Sequence, residues 1–333
     1  MKSMYVLLAA LALVGLACGQ GSPLPTVPQP AIAAKAPERL ESVPAAAHKM
    51  TPAEDAWPPA APKGWDRPQP LPAPVNTAGA EDSPFITLDG RSLYLFFTPD
   101  LHIPVEKQLL DGVTGIWVSQ RMGESWGEPQ RVLLSTPGEP ALDGCEFVLE
   151  DWMAFCSVRA GNLNEIDLYT AVRRNNLWTD VKDWGRQINL DYQVGEMHIT
   201  ADGQTMVFAS KRPGGLGGFD LWLSAKTNDG WSEPINPGGP VNTTSDENRP
   251  YLSPDGQTLW FDSTSRRGFP GPAIFRSLRS ADGRWGEPEE IISQFAGEPS
   301  LSADGHTLYF VHHYFSTDMK QMIEADIYGV NVP

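Results

Sequence analysis

The sequence predicts an all-β fold, because one pattern of two apolar runs around an Asp-Gly turn recurs along the chain. The four matching segments are SPFITLDGRSLYLFF, EMHITADGQTMVFAS, RPYLSPDGQTLWFDS and EPSLSADGHTLYFVH. A fifth, GCEFVLEDWMAFCSV, keeps the spacing but has Glu-Asp at the turn. The turns begin at Asp89, Glu150, Asp202, Asp255 and Asp304, which are 61, 52, 53 and 49 residues apart. Repeats of this length are typical of β-propeller blades, so the sequence predicts a five-bladed β-propeller.

A third apolar run and a tryptophan follow in most repeats. The third runs are GIWVS, IDLYTA, FDLWLS, AIFRS and ADIYGV, and in the first four repeats the tryptophans are Trp126, Trp178, Trp231 and Trp285. Three runs and a Trp-led fourth predict a four-stranded antiparallel blade, with strands a to d. The expected blades span about 81–132, 141–185, 194–237, 247–291 and 297–333.

The last repeat ends after its third run, and the missing fourth strand is expected from the start of the domain. Residues 64–77, GWDRPQPLPAPVNT, match residues 230–243, GWSEPINPGGPVNT, at a constant offset of 166. We therefore expect residues 64–72 to form strand d of the last blade, with Trp65 in the place of Trp231. A ring closed from both termini leaves no blade with bare edge hydrogen bonds.

The stretch Glu247–Phe261 and the glycine-rich stretch that runs from Ser210 to Trp222 carry a more specific pattern. They resemble the WD40-like propeller repeats of TolB-like periplasmic proteins, and the resemblance covers essentially residues 64–333. It implies a propeller architecture. It does not specify a function, because such repeats occur in scaffolds and in enzymes.

The N-terminus predicts export. Residues 1–17 have one lysine, an apolar run and small residues, as in a secretory signal peptide. Cys18 resembles the acylated cysteine of a bacterial lipobox, so residues 1–18 are expected to direct lipid anchoring at the periplasmic face of the outer membrane or at the cell surface. Cleavage by ordinary signal peptidase, with loss of Cys18, is the alternative. Residues 19–63 are rich in Pro and Ala, and we expect a disordered tether there.

The charge of the chain limits its partners. A formal net charge of −16 and a pI near 4.7 argue against nucleic acid and against an anionic membrane surface, since both need a basic footprint. We expect a monomer that contacts an envelope protein or a glycan and meets the membrane only through its lipid anchor.

Two cysteines remain beside Cys18. Cys145 and Cys156 are placed symmetrically about the Glu150 turn, so they are expected opposite each other on a hairpin. In an oxidising compartment the sequence predicts a disulfide between them. Two buried free thiols are the alternative.

Polar residues are expected at one mouth of the propeller, where each strand a begins and each b–c loop returns. The candidate ligand-contacting residues are Arg159, Glu196, Lys211, Arg212, Glu247, Arg249, Glu298, His312 and His313. The sequence favours a binding or scaffold module. A purely structural role, in which repeat-encoded carboxylates cap backbone amides, is equally open.

Two other functions remain open at the same mouth. Family 43 glycoside hydrolases are also five-bladed, and that resemblance implies catalytic roles for Asp82, Asp143 and Glu196, which need a suitable carboxylate separation. A divalent cation held by His198, His312 and His313 with Glu196 or Glu298 is the other possibility. No other cofactor is expected.

Overall fold

The structure is a computed structural model. It describes residues 38–136, 138–186, 188–189, 193–266 and 268–333. The predicted signal peptide, the predicted acylation site Cys18 and the first part of the predicted tether lie outside these residues.

Strands dominate the described residues. The helices are α1 (Arg39–Ser42) and α2 (Val105–Gln108). The strands are β1 (Gln69–Pro70), β2 (Ala80–Ile86), β3 (Ser92–Thr98), β4 (Gly115–Met122), β5 (Ser125–Trp126), β6 (Gln130–Arg131), β7 (Ala141–Leu149), β8 (Trp152–Arg159), β9 (Asp167–Arg174), β10 (Leu177–Asp183), β11 (Val194–Ile199), β12 (Thr205–Ser210), β13 (Asp220–Thr227), β14 (Gly230–Trp231), β15 (Glu247–Leu252), β16 (Thr258–Thr264), β17 (Pro272–Leu278), β18 (Glu289–Ile292), β19 (Ala296–Leu301), β20 (Thr307–Phe315) and β21 (Met322–Asn331).

In the described part of the chain these strands form four hydrogen-bonded sheets. Three are four-stranded and antiparallel, with strand orders β7-β8-β9-β10, β11-β12-β13-β14 and β15-β16-β17-β18. The fourth joins β19-β20-β21 to β2-β3-β4-β5 through one parallel bridge between Ala80 and Ala325. The predicted all-β class and four-stranded antiparallel sheets are thus confirmed, and the arrangement is consistent with a β-propeller.

The repeated Asp-Gly turns explain why each hairpin forms where it does. Thr200 Oγ1 donates to Asp202 Oδ1 at 2.7 Å, and the Gln204 backbone N–H donates to the same oxygen at 2.9 Å. Gly203 takes the left-handed φ of 70° that the turn requires. Ser253 and Asp255 repeat the first contact in the β15–β16 hairpin.

Apart from β1, the described strands fall into five antiparallel groups, which are β2–β6, β7–β10, β11–β14, β15–β18 and β19–β21. A bulge interrupts the first strand of each group. The register shifts lie between Asp82 and Phe85, Gly144 and Phe147, Val194 and Met197, Asn248 and Tyr251, and Gly297 and Ser300. Ser83, Cys145, Arg249 and Glu298 have φ values of 48° to 59° at four of these bulges. Since a bulge bends the strand and re-aims a side chain, the repeat directs these residues away from the regular alternation.

The core lies between neighbouring sheets. Phe155, Phe208, Phe261 and Phe310 are fully buried on the second strands of their groups. Burying a phenylalanine side chain contributes about 1.5–3 kcal/mol, so this aromatic layer stabilises the packing of sheet on sheet.

Residues 64–77 lie along the last strand of the chain. In β1, Gln69 pairs with Gly329 and Pro70 with Tyr328, and Leu71 N–H donates to the Ile327 carbonyl at 2.8 Å. Trp65 is partly buried against the core cluster that contains Tyr328. The segment therefore packs where the sequence placed the missing fourth strand, although only two of its residues pair as a strand.

The predicted disordered tether needs a correction. Residues 38–63, which we call the N-terminal strap, pack on the folded domain through charged side chains. Arg39 donates to Glu81 Oε1 at 2.6 Å, and Lys49 donates to Glu324 and to Asp326. Buried ion pairs hold this Pro/Ala-rich segment in place, and composition does not reveal them because the partners are distant in sequence.

The predicted disulfide also differs from the structure, which has Cys145 and Cys156 as buried free thiols. The bulge accounts for the difference. It pairs Gly144 with Cys156 and gives Cys145 a φ of 55°, so the two cysteines are not directly opposed.

Candidate functional site

Bulged first strands bring charged residues of three groups together. Arg249 Nε lies 3.2 Å from Glu196 Oε1 and 2.7 Å from Glu298 Oε1, and Arg249 Nη1 lies 3.2 Å from Asp262 Oδ1. Three of the predicted mouth residues therefore meet in one ion-pair network. We call this network, together with Asp82 and Glu146, the central cluster.

Asp82 and Glu298 of the central cluster are linked through the backbone amide of Ser83. Ser83 N–H donates to Glu298 Oε2 at 2.6 Å and to Asp82 Oδ1 at 2.9 Å. Burial and the neighbouring carboxylates raise the pKa of Glu298 well above its usual range. Burial opposes ionisation of Asp82 as well, but the His313 imidazole at 3.7 Å and the Glu298 carboxyl together lower its pKa. The two carboxyls are thus shifted in opposite directions, with the pKa of Asp82 below its usual range and that of Glu298 above it.

Two more carboxyls of the central cluster are buried with raised pKa values. Burial raises the pKa of Glu196 to about 7, although Arg249 opposes the shift. Burial raises the pKa of Glu146 well above its usual range, and both of its carboxyl oxygens are buried without a hydrogen-bond partner among the described residues. Glu146 is thus a buried polar group whose burial is compensated in the described chain only by its own backbone amide and by the charge of Arg131.

A small cavity lies within the central cluster, with a volume of about 40 Å³. The carboxyls of Glu146, Glu196 and Glu298 line it, together with the rings of Phe85 and Tyr251. Pockets for drug-sized ligands measure about 300–1,000 Å³, whereas one water needs about 10–15 Å³. The cavity can hold a few waters or one small group, and no larger molecule.

Other predicted mouth residues belong to a repeated structural contact. Three arginines stack on aromatic pairs of their own sheets: Arg159 on Phe155 and Tyr169, Arg212 on Phe208 and Trp222, and Arg266 on Phe261 and Phe275. Such stacking holds the guanidinium over the end of the sheet. Lys211 is exposed, with its ammonium 4.6 Å from the Phe219 ring centroid.

Glu247, His312 and His313 are buried and lie outside the central cavity. Glu247 accepts hydrogen bonds from Thr243 N–H and Oγ1 at 2.9 and 2.6 Å, which is the capping role that the structural alternative predicted. His312 Nε2 lies 2.8 Å from Asp55 Oδ2 of the N-terminal strap. These residues are therefore not free to line an open mouth.

The three predicted catalytic carboxylates do not share one site. Asp143 Oδ1 accepts from Arg159 Nη2 at 2.5 Å and from Ser157 Oγ at 2.7 Å, and Asp143 does not line the cavity. Asp82 and Glu196 both belong to the central cluster. The predicted triad is thus reduced to two carboxyls.

The predicted histidine ligands are also separated. His198 Nδ1 accepts from Leu252 N–H at 3.3 Å, and burial lowers its pKa to about 3, so this imidazole is neutral. Across the described ranges, no group of three His, Cys, Asp or Glu side chains is arranged to hold a metal ion.

Sequence reasoning missed Glu146 and Asp262. Aligning the repeats on their turns selected Gly144, but the bulge in β7 falls one residue later than in β15, so Cys145 is the structural counterpart of Arg249 and Glu146 follows it. Asp262 lies on a second strand, and its Oδ2 accepts from Glu298 N–H of the next group at 3.1 Å. A bulge offset leaves no mark in a turn-based alignment.

None of the helices in the described part of the chain is long and apolar enough to cross a membrane. No family model matches the sequence, and no curated protein matches it.

Solved structures give similar folds at low identity. TolB from Acinetobacter baumannii is 14% identical over 72% of this chain, with a TM-score of 0.38, and the chain spans only 53% of that protein. An α-L-arabinofuranosidase from Podospora anserina is 12% identical, covering 79% of this chain and 94% of its own, with a TM-score of 0.45. An exo-β-1,3-galactanase from Clostridium thermocellum is 9% identical, covering 83% and 62%, with a TM-score of 0.49.

Proposed function

We propose that residues 64–333 form a five-bladed propeller that the N-terminal segment closes. The first strands support this count, because β2 contacts β7, β7 contacts β11, β11 contacts β15, β15 contacts β19, and β19 contacts β2. Each is the innermost strand of one blade in this proposal. The pairing of β1 with β21 supports closure by residues 64–72.

The proposed function is that of a binding or scaffold module whose ligand is an envelope protein or a glycan. One observation carries it: of the carboxyls that line the cavity, Glu196 and Glu298 are held by Arg249, and Glu298 also accepts from the backbone amide of Ser83. A cavity of about 40 Å³ leaves no room for a substrate between them. Recognition then falls to the b–c loop face, where Lys211 is exposed and Arg159 is partly exposed.

The proposed place of action is the cell envelope. The signal-peptide pattern of residues 1–17 supports export, and Cys18 supports a lipid anchor. The anchored propeller is proposed to be a monomer. The acidic composition supports a partner other than nucleic acid.

Glycan arrays and purified envelope proteins test the proposal with the exported full chain. We expect saturable binding that falls at least tenfold when Lys211 and Arg159 are both replaced by Ala. Lys182, on the outer strand β10, supplies the control substitution, Lys182→Ala, which should leave affinity unchanged. Equal affinity in all three proteins would contradict the assignment of the ligand to this face.

A glycan-active enzyme is the second candidate, and the raised pKa of Glu196, about 7, favours it. A carboxyl protonated near neutral pH can act as a general acid, and Asp82 would supply the ionised partner. Glu196→Gln should then lower turnover by orders of magnitude while the protein still binds the glycan. The control Glu150→Gln, in an exposed turn, should leave turnover unchanged. If a glycan is turned over, and Glu196→Gln but not Glu150→Gln removes that turnover, the enzyme proposal replaces the binding proposal.

A further inference from the structure

Glu146 is the strongest sign of an unfilled site in the described chain. Its side chain is on the bulge of β7, only 5% of the residue is exposed, and neither carboxyl oxygen has a hydrogen-bond partner. Leaving a buried polar group unsatisfied is unfavourable. Because Glu146 lines the central cavity, a group bound there can supply the missing donors.

The charges around the cavity favour a cation. The central cluster contains five carboxyls, those of Asp82, Glu146, Glu196, Asp262 and Glu298. Arg249 is the guanidinium that neutralises them, and it is engaged by Glu196, Glu298 and Asp262. Burial raises the pKa values of Glu146 and Glu298 well above their usual range, which favours their protonated forms. Three further carboxyls still face the single guanidinium of Arg249, so a bound cation is electrostatically favoured and would favour ionisation of Glu146 beside it.

The size and lining of the cavity define which cation fits. About 40 Å³ admits one ammonium-sized group with a short carbon attached. Phe85, Met197 and Tyr251 line the wall beside the carboxyls. Carbon and aromatic surface suits an alkyl group and attracts a cation over the ring face, whereas it cannot replace the water shell of a small metal ion.

We propose that the central cavity binds a primary alkylammonium group, with its N–H donors on Glu146 and Glu196 and its carbon against Phe85 and Tyr251. A free small amine and the lysine side chain of a partner share this chemistry. The inference rests on the cavity alone. Its failure would leave the proposed function of the b–c loop face in place, and the reverse also holds.

Thermal unfolding of the full chain with methylammonium chloride tests the proposal. A ligand that binds only the folded state raises Tm, and a roughly tenfold excess over its Kd should raise Tm by about 3 °C for a domain of this size. We expect this shift in the wild-type protein and its loss in Glu146→Gln, which removes the charge while keeping the shape. The control Glu150→Gln, in an exposed turn, should keep the shift.

Two further arms separate specific binding from the effect of salt and identify the source of the amine. Tetramethylammonium and sodium chloride, at equal ionic strength, should give no shift, because neither presents N–H donors on a short alkyl group. A blocked lysine peptide that shifts Tm as methylammonium does would identify a partner side chain, and its failure beside a methylammonium shift would identify a free amine. No methylammonium shift, an equal shift with tetramethylammonium, or a full shift in Glu146→Gln overturns the proposal. If Glu146→Gln does not fold, calorimetric titration of the wild-type protein with methylammonium and with tetramethylammonium decides the same question.

Discussion

Arg39 shows how a single residue of the N-terminal strap completes the repeat. Arg266 donates to the carbonyls of Pro240 and Val241 and pairs with Glu247 at 3.4 Å. Arg39 makes the same three contacts, with the carbonyls of Pro74 and Val75 and with Glu81, each 166 residues earlier in the chain. At that offset the counterpart of Arg266 is Asp100, which cannot donate to them. The strap therefore supplies the arginine that the first repeat lacks.

We expect Arg39→Ala to destabilise the protein by about 3–5 kcal/mol, because it leaves the Glu81 carboxylate buried without its charge partner. Urea unfolding measures the change. Arg39→Ala combined with Glu81→Gln should recover part of the loss, because the buried charge is removed as well. Arg91→Ala, in an exposed turn, should change stability by less than about 0.5 kcal/mol. A loss in Arg39→Ala no larger than in Arg91→Ala would show that the strap contact is dispensable.

At the scale of elements, local sequence determines the hairpins and distant sequence determines the site. The turns at Asp202 and Asp255 can be predicted from the sequence because their hydrogen bonds link residues that are two positions apart. The contacts of the N-terminal strap cannot be predicted in this way, since Lys49 and Asp55 bind residues more than 250 positions away. The same limit hid Glu146, whose position depends on where β7 bulges. The strands and the four-stranded antiparallel sheets were thus predictable, whereas the tether, the cysteine pair and the cluster geometry were not.

The pairing of β1 with β21 makes a prediction about residues 64–72. Deleting them removes the β1 ladder and the packing of Trp65 and Leu71, and it exposes an edge of β21. We expect loss of cooperative thermal unfolding and a tendency to aggregate. The control substitution Gln69→Ala, at an exposed position of β1, should leave a single cooperative transition. A deletion protein without residues 64–72 that melts like the intact chain would contradict closure by this segment.

At the scale of the whole molecule, buried carboxyls with raised pKa values occur both in the central cluster and where the N-terminal strap packs on the folded domain. Burial raises the pKa of Glu81 and of Glu196 to about 7 and that of Glu324 to about 8. In the unfolded chain a glutamate titrates near 4.3. The folded state therefore holds protons that the unfolded state has lost across this interval.

The sign of the pH dependence follows from that difference. A carboxyl whose folded pKa is raised favours folding fully below its unfolded value, and its contribution is lost as pH rises through the folded value. Exposed turn residues such as Asp202 and Asp255 act in the opposite sense, because hydrogen bonds from Thr200 and Ser253 lower their pKa values and their contribution is lost below about pH 4. The buried imidazole of His198, with a folded pKa of about 3, opposes this trend up to its unfolded pKa of about 6.5, but the three raised carboxyls outnumber it. We therefore expect Tm to fall between pH 5 and pH 8. Thermal unfolding across that range measures it. Glu196→Gln should flatten the decline above pH 5, since the amide binds no proton in either state, while Glu150→Gln should follow the wild-type curve. A Tm that rises from pH 5 to pH 8 would contradict this expectation and would mean that these carboxyls are ionised in the folded protein.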